Sequence, residues 1–257
     1  MPNKMEIIGL PAFRDNYIWL LLRGDHAVVV DPGDAAPVSR FLAQSGVSLA
    51  AILLTHHHAD HTGGVADLLA QRSVPVYGPA SEAIAEVTAP LREGDRVDLP
   101  ELDVALQTIE VPGHTRGHIA YYGANTLLCG DTLFACGCGR LFEGSPEQMW
   151  QSLSKLAALP ADTQVYCAHE YTQANIAFAL AVEPGNTALQ ARAARVDALR
   201  AELKPTVPST LGEERATNPF LRCREPAVIL AAEKQCGTTL NGASAVFTAL
   251  RSWKNNF

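Results

Sequence analysis

The segment Thr55-His56-His57-His58-Ala59-Asp60-His61-Thr62-Gly63-Gly64 places four histidines and an aspartate within six residues, directly behind the apolar run 51–54. Packing gives no reason to crowd polar rings at the end of a core strand. The segment therefore demands a fold that turns a buried strand's carboxyl end into a ligand site. In extended backbone, residues two apart point the same way, so His56 and His58 are expected to grip one metal ion while His57 faces elsewhere. The chain is read as entering a helix at Thr62, a turn that carries Asp60 and His61 towards a second ion. Imidazole and carboxylate donors suit zinc, iron and manganese alike.

Four ligands near one loop do not complete two sites, and other apolar runs end in the same manner. His114 lies in Val111-Pro112-Gly113-His114-Thr115, Asp131 follows the run 126–129, and His169 follows 165–167. Open α/β sheets collect their functional groups at such strand ends. The surrounding pattern reads as strand 17–22, a turn at 23–26 that includes His26, strand 27–30, helix 36–44 stopped by Gly46, and strand 49–54: a hairpin leading into a βαβ unit. Further strands are expected at 74–77, 96–99, 104–109, 119–122, 126–129 and 164–167. Ser145-Pro146-Glu147-Gln148 is a capping box before an amphipathic helix. From Tyr171 onward, Ala, Glu, Arg and Leu recur at helical spacing, broken at 183–186 and 204–208, which predicts four or five helices. The expected organisation is an α/β catalytic domain over 1–170 and a smaller helical domain over 171–257.

Composition narrows the classes. At 257 residues, with 47% hydrophobic and 18% charged side chains, the chain can bury a core without disulfides. The opening MPNKMEIIGLPAF has no signal-type apolar stretch, and no run approaches the roughly 20 apolar residues of a bilayer span. The six cysteines are accordingly expected to be reduced thiols in a soluble cytoplasmic protein. A formal net charge of −7 argues against nucleic acid as the main partner, though it leaves room for a local basic pocket.

The order HxHxDH, His, Asp, His resembles the metallo-β-lactamase superfamily over about residues 5–170. The resemblance implies an αββα sandwich in which His56, His58 and His114 hold one metal, Asp60, His61 and His169 a second, and Asp131 bridges them. Two divalent ions per chain follow, zinc foremost, with iron or manganese as alternatives. Over its whole length the chain resembles glyoxalase II, the hydroxyacylglutathione hydrolases. The resemblance is carried by FRDNY (13–17), GDTLFACGCGRLFEG (130–144), AHEYT (168–172) with Asn175, and the tail Arg251-Ser252-Trp253-Lys254. It implies that Arg140, Tyr171, Asn175, Arg251 and Lys254 bind the glutathione moiety, whose two carboxylates need localised cations in an acidic protein. Some members carry Tyr where Phe142 stands here, so any hydroxyl contact from that position is absent.

The implied reaction is hydrolysis of S-(2-hydroxyacyl)glutathione, S-D-lactoylglutathione in particular, to glutathione and a 2-hydroxy acid, D-lactate, the second step of methylglyoxal detoxification. A hydroxide shared by the two metals is the expected nucleophile, with Asp60 and Asp131 as the catalytic carboxylates. The expected partner is this small thioester, and the chain is expected to be a monomer. A lactonase, a lactamase or a tRNA-processing nuclease of the same fold would lack the glutathione-type tail or add a basic extension, and an inactive metal-stabilised module would lack a ligand. Cys136 and Cys138 are read as lying outside the metal set. His118 is either a partner of the ligands or a packed polar ring.

Overall fold

The computed structural model describes residues 5–257. The chain falls into two compact units, the first running to Glu110 and resuming over Arg116–Gly130, the second comprising Val111–Thr115 and Asp131–Phe257.

In the first unit, β1 (Glu6–Ala12), β2 (Asn16–Arg23) and β3 (His26–Val30) pair antiparallel, and β4 (Ser48–Leu53), β5 (Val76–Pro79) and β6 (Ala89–Leu91) continue the sheet in parallel. The predicted βαβ unit is β3, α1 (Ala35–Ser45) and β4. Asp34 caps α1 by accepting from Ala36 N, and Gly46 ends it at φ 70°, the left-handed position that glycine fills without a Cβ penalty. Residues 27–30 of β3 are wholly buried, as a strand covered on both faces requires. The core beside it joins Ile18, Leu20, Val29 and Ile52 to Val38 of α1 and to Val65 and Leu68 of α3 (Val65–Gln71).

Two local expectations change. His26 pairs with Arg23 and opens β3, because Gly24 at φ 60° takes the turn. The helix expected at Thr62 starts earlier, as the short α2 (Ala59–Thr62), and stops there. Gly63 and Gly64 lie so close to neighbouring backbone that a Cβ would fall 2.7 Å from Ala59 O and 2.4 Å from Ala35 N. Strand β1 escaped the sequence reading because its residues are mostly half-buried or exposed, which blurs any alternation. The unit is completed by the antiparallel run β7 (Arg96–Leu99), β8 (Val104–Glu110), β9 (Ile119–Gly123) and β10 (Thr126–Gly130).

The second unit carries a small hairpin of β11 (Leu133–Phe134) and β12 (Gly137–Cys138), then α4 (Pro146–Ala157) and β13 (Gln164–Cys167). It continues as α5 (Thr172–Val182), α6 (Thr187–Ala201), β14 (Ser209–Thr210), α7 (Leu211–Thr217), α8 (Pro226–Cys236) and α9 (Ala243–Asn255). The capping box forms as predicted, with Ser145 and Gln148 bonding each other's backbone. The breaker 183–186 places Asn186 as the cap of α6. Phe178, Phe220 and Phe247 are all fully buried; Phe178 stacks on Phe220, which meets Phe247 edge-on. Among the described residues no helix is long and apolar enough to cross a membrane.

Candidate metal centre and substrate pocket

In the first unit the ligand segment leaves β4 through Thr55 and His56, both fully buried. Asp31, at the end of β3, accepts from Thr55 N at 2.8 Å and from Thr55 Oγ1 at 2.7 Å, and lies 3.0 Å from His61 Nδ1. Thr55 Oγ1 has given its proton to Asp31, so it accepts from His56 Nδ1 at 3.0 Å. One carboxylate thus fixes the tautomer of two rings, His61 directly and His56 through a hydroxyl, and turns the Nε2 of each towards the ligand position. His56 Nε2 and His58 Nδ1 converge at 3.1 Å, and His61 Nε2 stands 3.5 Å from Asp60 Oδ2. Asn16 donates to that same Asp60 oxygen at 3.0 Å. Gly33 lets the end of β3 pass α2, since a Cβ there would fall 1.8 Å from Asp60 O.

His57 Nδ1 lies 3.0 Å from Glu82 Oε2, and Glu82 also accepts from Gly117 N. His118, fully buried, stacks on His56 with ring centroids 4.6 Å apart.

In the second unit His114 sits in the Val111–Thr115 loop with Nδ1 donating to Arg140 O at 2.9 Å. Its Nε2 lies 3.4 Å from Asp131 Oδ2, and His169 Nε2 lies 3.3 Å from the same oxygen. A single carboxylate oxygen therefore stands between two imidazoles. Gly139 allows the approach, because a Cβ there would fall 2.0 Å from Asp131 O.

These separations fit metal coordination. With Zn–N bonds of about 2.0–2.1 Å, two tetrahedral ligands stand about 3.4 Å apart, and the four ligand pairs lie at 3.1, 3.5, 3.4 and 3.3 Å. All seven residues offer donor atoms of a kind that could hold a metal ion.

The second unit also encloses a cavity of about 450 Å³, lined by His114 and Asp131 together with Arg140, Tyr171, Asn175, Arg251 and Lys254. Arg251 is buried; its Nη1 donates to Cys138 O at 2.9 Å and its guanidinium lies over the Phe220 ring. Lys254 is half-buried, donates to Ala174 O at 2.9 Å and lies over Phe178 and Phe257. Burial, then the neighbouring Arg251 charge, pushes its pKa down to about 8, with Arg140 adding to the effect. Asn175 Nδ2 donates to Ala135 O, and the Tyr171 ring stacks on His169 at 4.7 Å. Phe142 is exposed and stands edge-on to His114. Cys136 donates its Sγ proton to Thr217 O, and burial raises its pKa to about 12; the Cys138 thiol is also pushed up by burial. Neither is a ready thiolate.

Sequence reasoning missed Asp31 and Glu82. Asp31 carried a usable signal, a carboxylate closing a buried strand before Pro32-Gly33, the same strand-end logic that singled out Asp131. Glu82 lies in an irregular stretch with no pattern to mark it.

The metallo-beta-lactamase superfamily model matches residues 12–169 and the model described as hydroxyacylglutathione hydrolase C-terminus matches 170–257. Solved structures with this fold include TTHA1623 in a di-iron-bound form, 28% identical with TM-score 0.59, covering 84% of this chain and 100% of that one. Another is ETHE1 from Myxococcus xanthus, 23% identical with TM-score 0.64, covering 97% of each. The architecture is thus the αββα fold of a metal-dependent hydrolase class, followed by a helical C-terminal region. Two curated relatives, both called hydroxyacylglutathione hydrolase, are far more similar. The protein of Cupriavidus taiwanensis is 57% identical, covering 98% of this chain and 99% of its own length. That of Nitrosomonas europaea is 53% identical, covering 98% and 97%. The chain belongs to the hydroxyacylglutathione hydrolase family.

Proposed function

We propose that the chain hydrolyses S-(2-hydroxyacyl)glutathione, S-D-lactoylglutathione in particular, to glutathione and a 2-hydroxy acid, D-lactate, as the second step of methylglyoxal detoxification. The observation that carries this reading is the shared cavity: Asp131 and His114 form one wall of a space whose other walls carry Arg140, Arg251 and Lys254. The names of the relatives support the substrate class. Residues 1–170 are assigned as the catalytic domain and 171–257 as the helical substrate-binding domain, acting as a cytoplasmic monomer.

His56, His58 and His114 would hold one divalent cation, Asp60, His61 and His169 a second, with Asp131 serving both; zinc is the first candidate, and iron and manganese suit the same donors. When bound, such a pair supplies Lewis acidity and a water acidic enough to give hydroxide near neutral pH. The protein's own groups do the rest. Asp31 keeps His61 and His56 in the tautomer that presents Nε2. Asn16 holds one Asp60 oxygen, which fixes that carboxylate as it orients the attacking water. Arg140, Arg251 and Lys254 grip the carboxylates of the glutathione portion, and Tyr171 and Asn175 line the same cavity. The departing glutathione thiolate is a good leaving group, so no dedicated acid is required.

The test is to purify the protein, measure its metal content and compare turnover of S-lactoylglutathione with that of a lactone and a β-lactam. The thioester should be turned over best, by a chain carrying two metals. Preferred turnover of the lactone or the lactam overturns the proposal.

A further inference from the structure

The hairpin between Asp131 and Arg140 is held from outside by side chains, almost residue by residue. Asn218 Nδ2 donates to Phe134 O and Gly137 O, Asn175 to Ala135 O, and Arg251 to Cys138 O, while Cys136 N donates to Glu214 Oε2 at 2.8 Å. Cys136 sits at φ 59°, a conformation that costs a residue with a Cβ and persists where the surroundings over-determine it. Glu214 is fully buried on α7 and gathers three donors: Arg192 Nη2 on one oxygen, and Cys136 N and Asn218 Nδ2 on the other. Arg192, also buried, donates its second terminal nitrogen to Thr217 Oγ1. Burial works most strongly against the charge of Arg192, but the Glu214 carboxylate with Cys136 and Glu213 beside it together hold the pKa above the usual value.

We propose that Glu214 is a positioning residue for substrate binding: with Arg192 and Asn218 it fixes the hairpin 134–138, and through it the spacing between the carboxylate Asp131 and the cation Arg140. A buried ion pair adds little net stability compared with apolar residues of the same shape, which leaves the fixing of one backbone path as its contribution. Only a carboxylate can serve here. An amide at 214 would turn its NH2 either against the Arg192 guanidinium or against the Cys136 N–H and the Asn218 amide.

The kinetic readout rests on the proposed hydrolase reading, so the experiment has two arms. In the first, Glu214→Gln should raise KM for S-lactoylglutathione roughly tenfold, the equivalent of about one hydrogen bond, with kcat within about twofold and metal content unchanged. In the second, amide hydrogen exchange over 133–140 should speed up in Glu214→Gln while the β2–β3 amides keep their wild-type protection; this arm needs no substrate and stands even if the wild type fails to turn over the thioester. Should Glu214→Gln not fold, Asn218→Ser removes the donor to Phe134 and Gly137 while leaving the ion pair, and must give both effects. A folded variant with unchanged KM and unchanged local exchange overturns the proposal and leaves the ion pair a feature of the helical core alone.

Discussion

In the first unit two of the candidate ligand rings are oriented by a side chain; in the second His114 is oriented by the backbone. Asp31 serves His61 directly and His56 through Thr55, whereas His114 Nδ1 is fixed by the carbonyl of Arg140. A side-chain acceptor can be removed without moving the chain. A carbonyl acceptor can be lost only by moving the chain, and the residue that supplies it also points a cation into the cavity. Ring orientation therefore rests on a replaceable side chain in the first unit and on one stretch of backbone in the second.

The largest effect should come from breaking the second cluster at its centre. Asp131→Ala removes the one oxygen that lies between His114 and His169, and elemental analysis should show both metals lost. Several kcal/mol of charge stabilisation go with them, so kcat/KM should fall by on the order of a thousandfold or more. Two metals retained with full activity would show that Asp131 does not serve both. Asp31→Asn is the matched change in the first unit. The fold is kept, but the oxygen that serves both Thr55 and His61 gives way to an amide, both rings lose their tautomer control, and metal affinity should fall by roughly 10- to 100-fold, measured by competition with a chelator. The comparison would collapse if Asp31→Asn bound metal as tightly as wild type.

The same contrast explains what was legible in the sequence. His56, His58, Asp60 and His61 stand out because four candidate donors fall within six residues behind an apolar strand, and the strand period sets His57 apart from them. Buried strands such as β3 and the capped helices α1 and α4 were equally plain, since their signals are local. Arg251, by contrast, donates to Cys138, 113 residues away, and no spacing rule reports such a partner. Family resemblance marked the residue as a substrate contact, and spacing alone would have left it as a helix end. Glu214 and Arg192 carry no local signal in the sequence, and only the folded chain reveals that both are buried.

Arg251 and Lys254 divide the smaller effects. Each should raise KM roughly tenfold when replaced by Ala, with kcat comparatively preserved, because a charge-assisted contact is worth about 1.5 kcal/mol at its lower end. Arg251→Ala should also lower thermal stability, since the buried Cys138 carbonyl loses its donor; Lys254→Ala, half-exposed, should not. Steady-state kinetics beside a melting curve separates the two. Lys254 adds a pH signature. Its pKa lies near 8, lowered by burial and by Arg251, so its charge is lost as pH rises through about 8, and KM for the anionic substrate should climb above that pH. An unfolded lysine keeps its proton to about 10.4; between these values the folded chain binds fewer protons, and this residue's contribution to stability rises with pH. A KM that rises equally in Lys254→Ala would assign the titration to another group.

The smallest effect is expected at His57, the one histidine of the ligand segment that the strand period excludes. Its ring lies 3.0 Å from Glu82, a carboxylate that also accepts from Gly117 N, so it is expected to tie a loop. His57→Ala should keep two metals per chain and wild-type KM. It should lose about 0.5–1.5 kcal/mol of stability, the usual net worth of one hydrogen bond. Glu82 retains its bond to Gly117, so the loop before His118 should stay in place. Elemental analysis and a denaturant titration check the two halves of this expectation. Loss of a metal would mean that the segment does not present alternate residues to the ions, and the assignment of His56 and His58 as a pair would fall with it.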